Sequence, residues 1–477
     1  MNLDQALEQA QHTREDRTVK RPARRISPTS GRIRVLPVCV MALITVTAAT
    51  APGPSAAQDS DSVWVTSWTG SAQGPFPSGN AVAQPDLEFA FPNKAASDQT
   101  FRLIVHPDFW SPRMRIRFTN VFGNQPVTFD GVFVGLQKSG ATLVHHTNQP
   151  VRFSGEASLT LPPGQSAWSD PVSLPFVEDA GQGGLELAGK KLSISFHTVG
   201  TTGPMTWHAK ALTTSYVTNQ GVGSVGNAEG DSAFPTSTTS WYFIDAIDMR
   251  APRGTQLVVA LGDSITDGTS STINGDDRWP DVVARRLADA YGDRVVLVNE
   301  GIGGNQIVGP AVYDPNNPVS GGPSVLQRLD RDVLSLSGVT AVIWHEGTND
   351  VSAGTTADAI EAGMSTVVQR LRAAIPGIRI AGTTITSEVG AAGNGGTPAA
   401  AAERITLNEF IKSSGLFDGV VDFYGVTTDP ATGAMKAQYI PNTSIGGAGD
   451  HVHPNRAGYL AMGSAVDLSL LVNRGGR

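Results

Sequence analysis

The sequence has almost no cysteine: Cys39 is alone among 477 residues, and it lies in an apolar run near the start. No disulfide framework and no thiol chemistry can be built from one such residue. A Gly-x-Ser-x-Gly elbow is absent, which argues against an ordinary α/β-hydrolase nucleophile turn. Gly-x-Gly-x-x-Gly is also incomplete: Gly301 and Gly303 are present but position 306 is Gln306, so a dinucleotide site is not expected. His145, His146 and His208 lack metal-ligand spacing and read as surface or core residues. No metal or other cofactor is called for. Basic surplus is lacking as well, with a formal net charge of −8. Partners rich in negative charge, such as nucleic acid or anionic lipid, are therefore not expected.

Residues 1–57 differ from the rest. Eight basic side chains from Arg14 to Arg34 precede an apolar run from Val35 to about Ala51, followed by Pro54-Ser55-Ala56-Ala57. Basic segment, apolar segment and small residues in that order are the pattern of a cleaved secretory signal. The run is short for a membrane span and contains Pro37, so a stable anchor is not expected. Cleavage after 57 would leave 27 basic against 39 acidic side chains, a net charge of −12.

What the chain does have is glycine (53) and proline (30), with 40% hydrophobic and 16% charged residues. This composition is that of a globular protein with a core and many turns, and the length calls for two or three domains. From 62 to 250 the pattern is β throughout. Met114–Phe118 and Leu192–Phe196 alternate apolar and polar residues between Gly, Pro, Asn and Asp clusters, which predicts an all-β sandwich or jelly roll. Six tryptophans fall there: Trp64, Trp68, Trp110, Trp168, Trp207 and Trp241. Core packing is the first reading for them and a sugar-stacking platform the second.

Beyond the Arg250–Thr255 segment, apolar strands alternate with amphipathic helices over residues 255–473. Strands are expected at Gln256–Leu261, Arg294–Asn299, Thr340–Trp344, Ile378–Thr384 and Gly419–Phe423. Helices are expected at Pro280–Tyr291, Ser324–Leu336, Thr356–Ala374, Ala399–Ser413 and from Pro454 to about Val472. The series predicts an α/β domain with a parallel sheet covered on both faces.

Each strand end carries something polar: Gly262-Asp263-Ser264-Ile265-Thr266, then Asn299-Glu300-Gly301-Ile302-Gly303-Gly304, then Gly347-Thr348-Asn349-Asp350, and finally Asp450-His451-Val452-His453. A nucleophile, a base, a group to orient that base and donors for an oxyanion are the parts of serine hydrolysis. All would lie along the sheet edge where α/β ligands bind.

These four blocks resemble those of the GDSL, or SGNH, hydrolases, and the resemblance covers about Thr255 to Asn473. It implies a flavodoxin-like five-stranded parallel sheet, Ser264 as nucleophile, and Asp450 and His453 as orienter and base. It also implies an oxyanion hole made by the Ser264 and Gly304 N–H groups and the Asn349 amide. The preceding half is similar to the β-domain of some secreted bacterial, xylan-esterase-like members, on Arg115–Gly123 and Thr239–Phe243. The expected activity is that of a secreted serine esterase acting on short-chain, above all acetyl, esters, whether small molecules or plant polysaccharide. A lipase or phospholipase is the alternative within the class, and a non-catalytic carbohydrate-binding protein the alternative outside it. Asp267 and Asp350 read as loop-fixing acceptors. His345 reads as either a packed strand-end residue or a pocket wall.

Overall fold

The computed structural model describes residues 61–84, 86–181, 186–441 and 449–473. The proposed signal segment lies outside these residues. Among them, no helix is long and apolar enough to cross a membrane.

The C-terminal half is built on five parallel strands: β1 (Gln256–Gly262), β2 (Val295–Gly301), β3 (Val339–His345), β4 (Arg379–Thr383) and β5 (Gly419–Val421). Their order in the sheet is β2-β1-β3-β4-β5. The side chains of β1 separate cleanly by parity. Val258 and Ala260 face Trp279, Val283 and Leu287 of α2 (Trp279–Tyr291) and Tyr459 and Met462 of α8 (Arg456–Ala465). Leu257, Val259 and Leu261 face the opposite core, which includes α5 (Ala357–Ala374). A strand buried on both faces has no polar positions to give, hence its unbroken apolar sequence. In α5, Ile360, Met364, Val367, Val368 and Leu371 form one buried stripe, the 3.6-residue period expressed as packing.

The remaining helices are α1 (Ser264–Asp267), α3 (Val325–Leu329), α4 (Thr348–Ser352), α6 (Pro398–Ser413) and α7 (Phe423–Thr427). The expected helix over 324–336 is α3 followed by a wider turn at Asp330–Leu334. The expected final helix to Val472 stops at Ala465. Arg286 donates to the carbonyls of Gly463 (2.6 Å) and Val466 (2.8 Å), and Asp467 then caps a separate turn at Leu468–Leu470. A guanidinium on the final carbonyls satisfies acceptors that a helix end leaves unpaired.

The N-terminal half is strand-rich. One antiparallel sheet contains Ser62–Thr69, Ile244–Pro252 and Arg113–Thr119, and another contains Ser97–Val105, Leu192–Thr201 and Val127–Ser139. Their facing sides meet through aromatic rings, with Phe118 5.1 Å from Phe129 and 5.4 Å from Phe196. Trp68, Trp207 and Trp241 are buried in this core. The half-buried Trp64 lies under Arg115 and Arg250, and Trp168 under Arg115 and Arg117. Trp110 is half-buried, 6.3 Å from Phe176, so all six tryptophans of this half make packing contacts.

The described residues belong to one compact unit, and the strand-rich half packs against β2, the edge strand. Asp108 accepts the Leu297 N–H at 2.7 Å, and Thr69 donates to the Asn299 carbonyl at 2.9 Å. Bare sheet edges invite aggregation unless covered, and here the cover is the other half of the chain.

Candidate active site

Ser264 opens α1 directly beyond the end of β1. Asp263 precedes it as the N-cap, its carboxylate accepting the Ile265 N–H at 2.9 Å. Gly301, at the end of β2, passes so close to this turn that a Cβ would lie 2.2 Å from the Asp267 nitrogen. Only glycine allows that approach.

The structure brings Ser264, His453 and Asp450 together. Ser264 Oγ lies 2.7 Å from His453 Nε2, and His453 Nδ1 lies 2.5 Å from Asp450 Oδ2. Asp450 Oδ1 also accepts the Val452 and His453 N–H groups, each at 2.9 Å. Partial burial pushes the Asp450 carboxyl up. The hydrogen bond and charge of His453, with those two N–H groups, outweigh it and hold the carboxyl well below the usual carboxylate range. Asp450 thus stays ionised and orients the imidazole. His451 points elsewhere, its ring packing against Gly390.

Gly304 has φ +83°, a left-handed conformation. No acceptor among the described residues takes its N–H or that of Ser264. Asn349, in α4, donates from Nδ2 to the Asn305 carbonyl at 2.9 Å, which ties its carboxamide to the same loop. That nitrogen carries a second N–H.

The residues around Gly304 are clamped from three sides. Asp267 Oδ2 accepts the Gly303 N–H at 3.0 Å, as a loop-fixing acceptor should. Gln73, from the strand-rich half, donates from Nε2 to the Gly303 carbonyl at 3.0 Å. In a trans peptide the C=O of one residue and the N–H of the next point in opposite directions. Holding the Gly303 carbonyl therefore aims the Gly304 N–H. Asp350 completes the clamp by accepting the Ile307 (2.9 Å) and Val308 (3.0 Å) N–H groups.

Arg328 supports all of this from below. Its guanidinium is fully buried and donates to the carbonyls of Gly262 (3.0 Å) and Glu300 (2.9 Å), to Asn305 Oδ1 (2.8 Å) and to Asp332 (3.0 Å). One side chain thus joins the ends of β1 and β2 to the glycine loop. Its fork of donors suits such a role where an ammonium would not. Gln73 and Arg328 carry no motif, and the sequence offers no signal for either.

His208 is buried, the core one of its two readings, and it lies on the site's underside beside Asp267. Nδ1 lies 2.8 Å from the Ser71 carbonyl. Nε2 lies 3.2 Å from Asp267 Oδ1, an ion-pair contact poorly angled for a linear hydrogen bond. Burial lowers the His208 pKa, but Asp267 and the backbone partners override it and the net shift is upward. A raised folded-state pKa stabilises below the unfolded value near 6.5 and loses that contribution as pH rises through the folded value. The melting temperature should therefore fall by roughly a few °C on going from neutral to alkaline pH. His208→Gln should show a shallower fall in a thermal scan; equal slopes would contradict this role.

His345 is a packed strand-end residue. Its ring is fully buried, 5.3 Å from Phe423, with Nδ1 2.7 Å from Thr383 Oγ1, and burial lowers its pKa to about 3. Burial likewise pushes Glu346 up to about 7 and Asp350 up to about 6. Among the described residues, His145, His146 and Glu229 bring ligand-type atoms within 4.8 Å of one another, a proximity that residue spacing did not suggest. They belong to the strand-rich half and touch none of the residues above. A cavity of about 680 Å³ is lined by residues of both halves, Asp267 among them, and Ser264, His453 and Asn349 do not line it.

Residues 260–461 match the GDSL-like Lipase/Acylhydrolase family. No match is found among the curated proteins. Solved structures similar to this chain include the lipase/acylhydrolase from Enterococcus faecalis, at 20% identity over 44% of this chain and 92% of that one, TM-score 0.33. The aryl esterase of M. smegmatis is 19% identical over 44% of this chain and 95% of that one, TM-score 0.33. A member of the lipolytic G-D-S-L family from Veillonella parvula is 18% identical over 44% and 95%, TM-score 0.32.

Proposed function

From a chain whose residues 260–461 form a GDSL-like lipase/acylhydrolase domain, and which is thus a carboxylic ester hydrolase, we propose a secreted serine esterase that removes short acyl groups, chiefly acetyl, from plant polysaccharide. The observation that carries the catalytic reading is the 2.7 Å contact between Ser264 Oγ and His453 Nε2, with Asp450 on the other ring nitrogen. His453 accepts the Ser264 proton as Oγ attacks the ester carbonyl. The carbonyl oxygen gains negative charge, which the Ser264 and Gly304 N–H groups and the Asn349 amide stabilise. Collapse expels the alcohol, protonated by His453, and leaves an acyl-serine. Water, deprotonated by His453, then attacks the acyl carbon and releases the acid.

The preference for short acyl groups is supported by the segments beside the site. Residues 309–323 and 388–398 are rich in Gly, Pro and Asn, and they are held by polar contacts such as Asn305 Nδ2 to the Gly321 and Pro323 carbonyls, each 2.7 Å. A binding surface for long acyl chains needs a large contiguous apolar area. Secretion rests on the pattern of residues 1–57. The test is a p-nitrophenyl ester series from acetyl to palmitoyl, with acetylated xylan and pectin alongside. The kcat/KM should be highest for acetyl and fall at least tenfold by octanoyl, about the cost of 1.4 kcal/mol in the barrier. A maximum at long chains would make the protein a lipase.

A further inference from the structure

The strand-rich half places a buried lysine beside the catalytic turn. Lys210 is 5% exposed, and its ammonium donates to Thr269 Oγ1 at 2.6 Å. Thr269 is tied to the nucleophile, since its N–H donates to the Ser264 carbonyl at 2.9 Å. The Thr269 carbonyl in turn accepts the Tyr459 hydroxyl at 2.6 Å. An ammonium has three donors, and only the bond to Thr269 is made among the described residues. No described carboxylate lies within ion-pair distance, although the charges of Asp267 and Asp450 act on it from further away. Burying an unpaired charge is costly, so an arrangement of this kind points to a missing anionic partner.

Lys210 forms part of the wall of a cavity of about 350 Å³, with Asn80, Val82, Leu212, Ser271 and Ile273. One of these lining residues, Asn80, also touches the oxyanion loop. Gly303 lies so close to Asn80 that a Cβ would come within 2.2 Å of Asn80 Oδ1. The cavity therefore lies beside the turn after Ser264, and Asn80 in its wall contacts the loop carrying Gly304.

Resting on the esterase reading above, we propose that this cavity is a subsite for a carboxylate on the alcohol part of the ester, so that the substrates are acyl esters of uronic-acid sugars. A single ammonium matches one carboxylate. The hydroxyl and amide groups of Ser271 and Asn80 suit sugar hydroxyls, while Val82, Leu212 and Ile273 suit the CH face of a pyranose. A phospholipid headgroup would bring an acyl chain that this short apolar wall cannot cover.

The test compares kcat/KM for acetylated oligogalacturonate and acetylated xylo-oligosaccharide in the full chain and in Lys210→Met. The anionic-to-neutral ratio should fall about tenfold or more in the variant, mainly through KM, as expected for loss of a charge-assisted bond. An unchanged ratio would overturn the subsite. Hydrolysis of lysophosphatidylglycerol micelles showing the Lys210 dependence in place of the uronate would also overturn it. A second measurement needs no variant: galacturonate should competitively inhibit p-nitrophenyl acetate hydrolysis more strongly than galactose, and added salt should weaken it. Equal inhibition by the two sugars would contradict the proposal. A wild-type protein inactive on p-nitrophenyl acetate would instead remove the esterase reading itself, which separates the two failures.

Discussion

Replacing Arg328 by alanine is expected to cost the fold about 3–5 kcal/mol, the range for removing one partner of a buried charge network. The substitution leaves the carbonyls of Gly262 and Glu300 and the Asn305 side chain without the donor they share. Asp332 fares better, because Arg331 also donates to it (Nη2 to Oδ2, 2.9 Å). The buried Glu300 carboxyl, whose pKa is raised by burial and by Asp332 and lowered by Arg328, would be pushed further up. Arg328→Lys should recover little, since a point charge cannot span four acceptors. Urea denaturation of wild type and both variants measures this. An alanine variant within about 0.5 kcal/mol of wild type, the range of an ordinary surface change, would show that the strand ends do not depend on Arg328.

The second large effect falls on the rate. Asn349→Ala removes one of the proposed oxyanion donors, and the loss of such a donor lowers kcat by about 10²–10³. KM should change little, because the interaction is made only when the carbonyl oxygen carries charge. Asn349→Asp should be slower still at neutral pH, since a carboxylate would repel the oxyanion. The side chain also donates to the Asn305 carbonyl, so a melting curve must accompany the kinetics. A raised KM with intact kcat would make Asn349 a substrate-positioning residue.

The proposed catalytic set is legible in the sequence because its parts are local. Ser264 follows an apolar strand within one turn, and Asp450 and His453 are three residues apart. The parallel sheet is legible for the same reason: a strand with two buried faces writes an unbroken apolar run. Other features have no local trace. Gln73 meets the Gly303 carbonyl across 230 positions of chain. His208 meets Asp267, and Arg328 binds carbonyls, which any sequence supplies. Helix ends are hidden in the same way, since α8 stops where Arg286, from α2, reaches its carbonyls. The sequence pattern changes at the Arg250–Thr255 segment, yet a strand continues through Pro252 and both sides share one core. Composition changes there, while packing does not.

The central claim is that Ser264 is the nucleophile of a Ser–His–Asp esterase. The direct measurement is labelling of the full chain by a fluorophosphonate, read by intact mass and by peptide fragmentation. One label per chain on Ser264 is expected, with none on Ser264→Ala and with acetyl ester hydrolysis lost in parallel. Stoichiometric labelling of another serine, or full activity in Ser264→Ala, would contradict it.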